Sequence, residues 1–328
     1  MMTGGSADPG SGPEAPPLTP ARKERIIRGM STAFVTTAYG GPEHQELIAR
    51  EAPAPRSGEI AIEVRVAGVN PADAKRREGL FGRSGALPMV LGLEAAGVVT
   101  ALGEGVEGFA VGDDVLGPPA RGLGAFAAHT VLRAADAVHR PAEVACEQAA
   151  TLPVAGTTAW DLASSAAPGE TVLVLGAGGG VGRMAVQVAV AAGARVLGIA
   201  SARKKGLVES AGAVHVPSGD GASDAARALA PEGADLLLDL VGGRPLRDLA
   251  PLVKDPSRIL SAADQPTAEE LGGAGRPSSR DALARITQLV AEGAVDPHVT
   301  ARFPLVSAAE AMAAVESGHS GGKIVLIP

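Results

Sequence analysis

Gly176, Gly179 and Gly182 stand at three-residue spacing in VLVLGAGGGVGRMAVQVAV, directly after an apolar run and at the start of a helix-forming one. Without Cβ atoms the chain can turn tightly there. A pyrophosphate could then approach the helix N-terminus, where unpaired N–H groups and the dipole favour anions. An ordinary glycine-rich βα turn has the same residues, but strand, helix and next strand follow in register, which favours dinucleotide binding with the pyrophosphate at Gly179–Gly182. A second stretch, GEGVEG at Gly103–Gly108, satisfies the same glycine pattern literally. Phe109, Ala110, Val111, Gly112 and Asp113 after it do not open a helix, and its two carboxylates would repel a pyrophosphate, so it reads as a β-turn region.

Which dinucleotide is expected follows from the end of the next strand. A site for NAD usually places Asp or Glu roughly 20 residues beyond the glycines to bond the ribose 2′-hydroxyl. Here the strand ends Ile199-Ala200-Ser201 and continues Ala202-Arg203-Lys204-Lys205, a hydroxyl and cations with no carboxylate. A solvated basic helix start is the plainer explanation. A positive charge at a helix N-terminus is unfavourable by itself, however, and a bound anion rationalises it. Ser201, Arg203 and Lys205 are therefore expected to hold a 2′-phosphate, and the cofactor is expected to be NADPH.

These residues need elements to position them. From Thr32 to about residue 135, short apolar runs alternate with Gly and Pro, and Ile60, Ile62, Val64 and Val66 show the period-2 pattern of a half-buried strand. From about Glu143 the character changes. EQAATLPVAGTTAWDLASSA reads as helical, and strands then alternate with helices: Thr171–Leu175, Gly180–Ala192, Arg195–Ala200, Lys204–Ala211, a short strand from His215, Asp224–Leu229, Leu236–Leu240, a helix from Pro245, Arg258–Ser261 and a last helix over 281–293. Continuously apolar strands in that alternation indicate a parallel sheet covered on both faces. The ending, FPLVSAAEAMAAVESGHSGGKIVLIP, reads as helix, glycine turn and strand.

Length and composition bound the classes. A chain of 328 residues with 46% hydrophobic and 20% charged residues suits two globular domains. With aromatics at 2%, the core must be aliphatic and base-stacking platforms are scarce. A net charge of -7 argues against a nucleic-acid partner. The apolar stretch 171–200 contains Arg183 and Arg195 and is broken by glycines, so no membrane span is expected. Residues 1–29 are rich in Gly, Pro, Ser and Ala, have no apolar signal core, and read as a disordered extension. A single cysteine, Cys146, fits a reducing, cytoplasmic setting.

AGVNPADAKRREGLF (67–81), LPMVLGLEAAGVVTALGEGVEGFAVGDDVLG (87–117), LDLVGG (238–243) and the final GGKIVLIP resemble the zinc-free quinone oxidoreductase branch of the medium-chain dehydrogenase/reductase superfamily. The resemblance runs from about Thr32 to Pro328. It implies an α/β protein built from a GroES-like β-barrel catalytic domain (30–155 and 294–328) and a doubly wound, parallel-sheet Rossmann domain (156–293), with the active site in the cleft between them. Zinc-dependent relatives carry Cys where this chain has Asn70, His before the glutamate where it has Leu93-Glu94, and a four-cysteine lobe it lacks. The six histidines are scattered, so no metal site is expected.

The resemblance also implies roles. Asn70, beside nicotinamide and substrate, would donate from its amide; Asn is also favoured as a turn residue before Pro71, and the surrounding motif favours the functional role. Lys75 and Phe81 stand where relatives often have tyrosines. Phe81 cannot donate a proton, whereas Lys75 is a candidate donor or cofactor-phosphate contact within a charge run. Thr158, Gly180, Val181 and Val241 would line the cofactor, Ala262 and Ala263 would stand near the nicotinamide where glycine is usual, and Gly322-Lys323 would close over it. Glu94 is structural on this basis, and Asp113 and Asp114 are turn-forming. The polar stretch Gln265–Arg280 replaces an aromatic-rich edge strand that often pairs in the homodimer, so a homodimer is possible but less supported. Without a metal, hydride must pass to an acceptor that is already electrophilic. The expected activity is NADPH-dependent reduction of a quinone. The alternatives are reduction of an enone or enoyl thioester, and an NADPH-binding protein with little turnover.

Overall fold

In the computed structural model, the structure describes residues 30–318 and 320–328; the extension expected at 1–29 lies outside the described residues. Eight strands come first: β1 (Met30–Thr36), β2 (Gln45–Glu51), β3 (Glu59–Val69), β4 (Met89–Val90), β5 (Glu94–Leu102), β6 (Asp114–Gly117), β7 (His129–Arg133) and β8 (Val138–His139). The parallel set follows as β9 (Thr171–Leu175), β10 (Arg195–Ala200), β11 (Val214–Pro217), β12 (Leu236–Asp239), β13 (Ile259–Ser261) and β14 (Ala274–Gly275), and the chain ends with β15 (Val299–Pro304) and β16 (Lys323–Ile327).

The return of the chain shapes the site. β16 pairs antiparallel with β3, opposing Ile324 to Val69, so the sheet β15-β16-β3-β5-β6-β8 joins the last residues to the first third of the chain. β7 also pairs with β3, and a small sheet β2-β1-β4 lies alongside. The half-buried alternation expected over Ile60–Val66 is present in β3 except at Ala61, which is buried. From Val66 to Val69 every residue is buried, because there the strand leaves the surface and runs under the cleft.

The second sheet is parallel, in the order β11-β10-β9-β12-β13-β14. It is the doubly wound arrangement in which β9 is the first strand and the order reverses beside it, which places the binding crevice at the C-terminal end of β9. Val172, Leu173 and Val174 are fully buried, as the continuous apolar run requires. The core is aliphatic throughout: Ile60, Ile62, Leu91, Leu132, Leu173, Met184, Leu197 and Ile199 are fully buried, and Phe126 is the one aromatic among the largest fully buried side chains.

Two segments depart from the expected pattern. The stretch expected to be helical from about Glu143 is divided around Pro153 into a short helix at Cys146–Ala149, a π turn at Leu152–Gly156 and a helix at Thr157–Ala163. Gln265–Arg280, read as a polar stretch in place of an aromatic-rich edge strand, holds a helix at Gln265–Glu270, capped by the Asp264 carboxylate accepting from Thr267 N–H, and then the two-residue strand β14. Gly103–Gly108 forms turns with left-handed Gly105 and Gly108, as expected.

Candidate active site

A cleft of about 1820 Å³ runs between the two sheets. Along it lie Asn70, Lys75, Thr158, Gly179, Gly180, Val181, Gly182, Ser201, Arg203, Val241, Ala262, Ala263, Gly322 and Lys323, so residues expected from separate parts of the sequence converge on one cavity.

At one end, the helix Gly180–Ala191 begins on Gly179, whose own φ of -93 and ψ of 169 are extended. Its first N–H groups have no intrahelical partner and face the cleft, the usual anion seat. Gly176 (φ 93) makes the turn, and a Cβ on Gly182 would sit 2.2 Å from the Gly176 carbonyl oxygen, so helix and turn pack backbone to backbone. Arg203 and Lys204 line this end. Burial and the neighbouring Arg203 both hold the Lys204 ammonium below its usual range. The expected contact Lys205 is elsewhere. Ala202–Lys204 forms a 3₁₀ turn, whose residues step by about a third of a turn, so the Lys204 stem lies over Gly178 while Lys205 turns to solvent and pairs with Glu209 at 3.8 Å.

At the other end, Asn70 opens a helix over Pro71–Glu78 that no hydrophobic period announced. Proline at the first helical position and Gly79 (φ 80) after the last one set its limits. The Asn70 side chain is 4% exposed and is not a free donor. Its Oδ1 accepts from Lys323 Nζ at 2.5 Å, and its Nδ2 donates to Glu94 Oε1 at 2.7 Å. Lys323 Nζ also donates to Glu94 Oε1 (3.0 Å) and Val69 O (3.3 Å). The second carboxylate oxygen of Glu94 accepts from Val154 N–H at 2.8 Å and Ala155 N–H at 3.4 Å, backbone donors of the π turn. Glu94 is fully buried, and this is possible because β3 carries Gly68: a Cβ there would meet Glu94 Oε1 at 2.2 Å. A single Nδ2 hydrogen of Asn70 remains for a ligand.

Asp73, in the first turn of the same helix, accepts from Asn70 N–H at 2.8 Å through Oδ2, while its buried Oδ1 has no partner. Burial pushes its carboxyl up to about 7; Glu94 adds to the rise, and the Asn70 N–H, Lys323 and Arg76 oppose it. Between about pH 4 and 7 the folded state therefore holds a proton that the unfolded state has released. The stabilising contribution is complete below the unfolded value and is lost as pH rises through about 7. Asp73→Asn keeps an acceptor and removes the titration. From pH 5 to 8 the wild-type protein is expected to lose on the order of 2 kcal/mol relative to this variant in urea unfolding. A difference that stays flat with pH would show that Asp73 is ionised throughout.

Glu94, Asp73, Lys204 and Arg276 were not expected as site residues. Arg276, just past β14, donates through Nη1 to Thr158 Oγ1 (2.6 Å) and through Nε and Nη2 to the buried Asp161 (2.9 and 2.7 Å). Nothing local in a polar stretch shows that an arginine in it reaches across to a helix more than a hundred residues earlier. For Lys204 the signal was present in the run of cations, but which lysine faces inward is decided by the 3₁₀ turn.

The GroES-like domain family of alcohol dehydrogenases matches residues 56–142, and the zinc-binding dehydrogenase family matches residues 211–326. The chloroplastic NADPH-dependent alkenal/one oxidoreductase of Arabidopsis thaliana is 30% identical over 90% of this chain and 79% of its own length. The human synaptic vesicle membrane protein VAT-1 homolog is 29% identical over 90% of this chain and 86% of its own. The quinone oxidoreductase of Coxiella burnetii superposes with a TM-score of 0.81 at 27% identity, over 91% of this chain and 99% of that one. The chain belongs to the medium-chain dehydrogenase/reductase superfamily, in its quinone oxidoreductase-like branch. It is an oxidoreductase, and its superfamily binds a nicotinamide cofactor.

The second family's description raises a metal, and the residues do not fit one. Among the described residues no group of three or more His, Cys, Asp or Glu is placed to hold an ion. The oxygens of Asn70 and Glu94 that face each other already surround the Lys323 ammonium. Among the described residues, no helix is long and apolar enough to cross a membrane.

Proposed function

We propose that this protein is a metal-independent, NADPH-dependent reductase that delivers hydride directly to a quinone-like acceptor. The observation that carries the reading is the single cleft, with the glycine-rich helix start, Arg203 and Lys204 at one end and the Asn70–Lys323–Glu94 network at the other. Reduced nicotinamide, when bound, supplies the hydride, and water supplies the proton that completes the two-electron reduction. The helix N-terminus at Gly179–Gly182 receives the pyrophosphate, Arg203 and Lys204 take the 2′-phosphate, and Thr158, Val241, Ala262, Ala263 and Gly322 form the walls. Asn70, held on both sides, offers its remaining N–H to the oxygen on which negative charge develops, and the buried floor excludes water.

The similarity to an alkenal/one oxidoreductase favours a second reading, reduction of an activated C=C bond, which needs the same groups. The reading extends to a reducing, cytoplasmic setting and to a homodimer, though β14 has only Ala274 and Gly275 with which to add a strand.

The test is oxidation of NADPH by the purified protein with benzoquinone, naphthoquinone, a simple enone and a crotonyl thioester, each repeated with NADH. Quinone turnover supports the first reading, and enone or thioester turnover alone moves the protein to the second. NADPH bound but never oxidised would leave a binding protein. Changing Arg203 and Lys204 together to Ala is expected to raise the NADPH dissociation constant at least tenfold, about 1.4 kcal/mol, and to leave that for NADH within twofold. Lys205→Ala should change neither. Equal losses for both cofactors would remove the 2′-phosphate assignment.

A further inference from the structure

Two buried carboxylates stand behind the cleft at its Asn70 end, and the buried cation there is taken by one of them. Glu94 faces Lys323 at 3.0 Å. The three ammonium hydrogens of Lys323 go to Glu94 Oε1, Asn70 Oδ1 and Val69 O, so none is left for a second carboxylate. Asp73 is as fully buried as Glu94 and makes no ion pair among the described residues. Two bonds tie it to Asn70: its Oδ2 accepts from Asn70 N–H at 2.8 Å, and its own N–H donates to Asn70 O at 3.0 Å. Its Oδ1 is buried without a partner. Asn70, Pro71 and Ala72 line the cleft and Asp73 does not, so the carboxyl lies behind the surface that an acceptor touches.

The charged groups that act on Asp73 are Glu94 from β5, Lys323 from β16 and Arg76 from its own helix. Arg76 donates to Leu123 O at 3.3 Å. Arg77, on the next turn, is engaged by Gly40 O (3.0 Å) and by Glu316 (2.6 Å) of the helix Ala308–Glu316, which packs against this one. Lys75 is exposed at the cleft. With Asp73 protonated, the trio of Asp73, Glu94 and Lys323 is neutral. With Asp73 ionised the trio is negative, in a place where little water screens it.

We propose that Asp73 is a positioning residue that acts through Asn70 and serves the reaction in its protonated form. Neutral, it leaves the remaining Asn70 N–H to receive the negative charge that develops on the acceptor. Ionised, it sets a like charge behind that N–H and slows hydride delivery. The inference rests on the reductase reading above. Asp73 itself transfers nothing: the proton of the reduction comes from water, and Asp73 gains or loses its own only with pH. Burial pushes its carboxyl up to about 7, so the two settings interchange around neutrality. The rate is highest below that value and falls as pH rises through it.

The test is the single-turnover rate of NADPH oxidation from about pH 6 to about pH 8.5, with whichever acceptor of the panel turns over. NADPH and acceptor are both saturating, which keeps titration of the cofactor's own phosphate, an effect on binding, out of the reading. The rate is expected to fall about tenfold across that range, and the NADPH dissociation constant should not follow it. Asp73→Asn keeps an acceptor for Asn70 N–H and cannot ionise, so its rate should stay level with pH. A merely structural role would lower the rate alike at every pH. Arg76→Gln removes a cation that favours the ionised form, and the midpoint of the fall should move up by about half a pH unit. A wild-type rate level within twofold overturns the proposal, as does a fall that survives in Asp73→Asn. Where that variant does not fold, a midpoint that Arg76→Gln leaves in place does the same. In each of these cases turnover itself keeps the reductase reading intact. No oxidation of NADPH at any pH, with any acceptor of the panel, overturns both.

Discussion

Lys323→Met is expected to destabilise the fold by about 3–5 kcal/mol, the cost of breaking a buried ion pair by removing one partner. Lys323 is 4% exposed and its ammonium is the cation that offsets the fully buried Glu94. Removing it leaves a carboxylate whose Oε1 keeps only the Asn70 amide, and it leaves Asn70 Oδ1 without a donor. Urea unfolding at neutral pH reads the loss. Glu94→Gln in the same chain removes the stranded charge and should recover more than half of it, since a neutral amide can still face Val154 N–H. A single-variant loss below about 1 kcal/mol would mean that water reaches the pair. Turnover of whatever molecules remain folded should fall as well, because the Asn70 amide would be free to rotate.

Gly182→Ala carries the second large effect. Its Cβ would lie 2.2 Å from the Gly176 carbonyl oxygen and 2.8 Å from the Gly176 carbonyl carbon, all backbone, so the turn and the helix must separate. Overpacking of this kind costs about 1–3 kcal/mol of stability. Because the same turn aims the N–H groups of the helix start, the NADPH dissociation constant should rise by about thirtyfold, roughly 2 kcal/mol. Cofactor fluorescence titration reads the binding, and thermal unfolding reads the stability. Gly179→Ala is the control: its φ is ordinary and its Cβ would stand 3.5 Å from the same oxygen, so it should leave stability nearly unchanged. If the two variants unfold alike, close packing at Gly182 is not what the glycine serves.

Much of this protein was legible in its residues. β9 and β10 end where their apolar runs end, the cofactor helix starts at Gly180, and the literal glycine pattern at Gly103–Gly108 turned out to be turns. Those features are local: a strand buried on both faces needs an unbroken apolar run, and a helix start needs its neighbours in sequence. The glycines, Asn70 and Thr158 were likewise placed in one cavity by pattern and resemblance.

What tertiary structure alone decided is which partners a polar group meets. Asn70, Glu94 and Lys323 come from β3's end, β5's start and β16, and their network exists because β16 closes antiparallel on β3. Arg276 reaches Asp161 across a sheet edge that no window of sequence spans. Even within one run of cations, a single 3₁₀ turn put Lys204 in the cleft and Lys205 in water. Periodicity reports which face of an element is apolar, whereas a buried charge is stabilised by the groups that the fold brings to it from far along the chain.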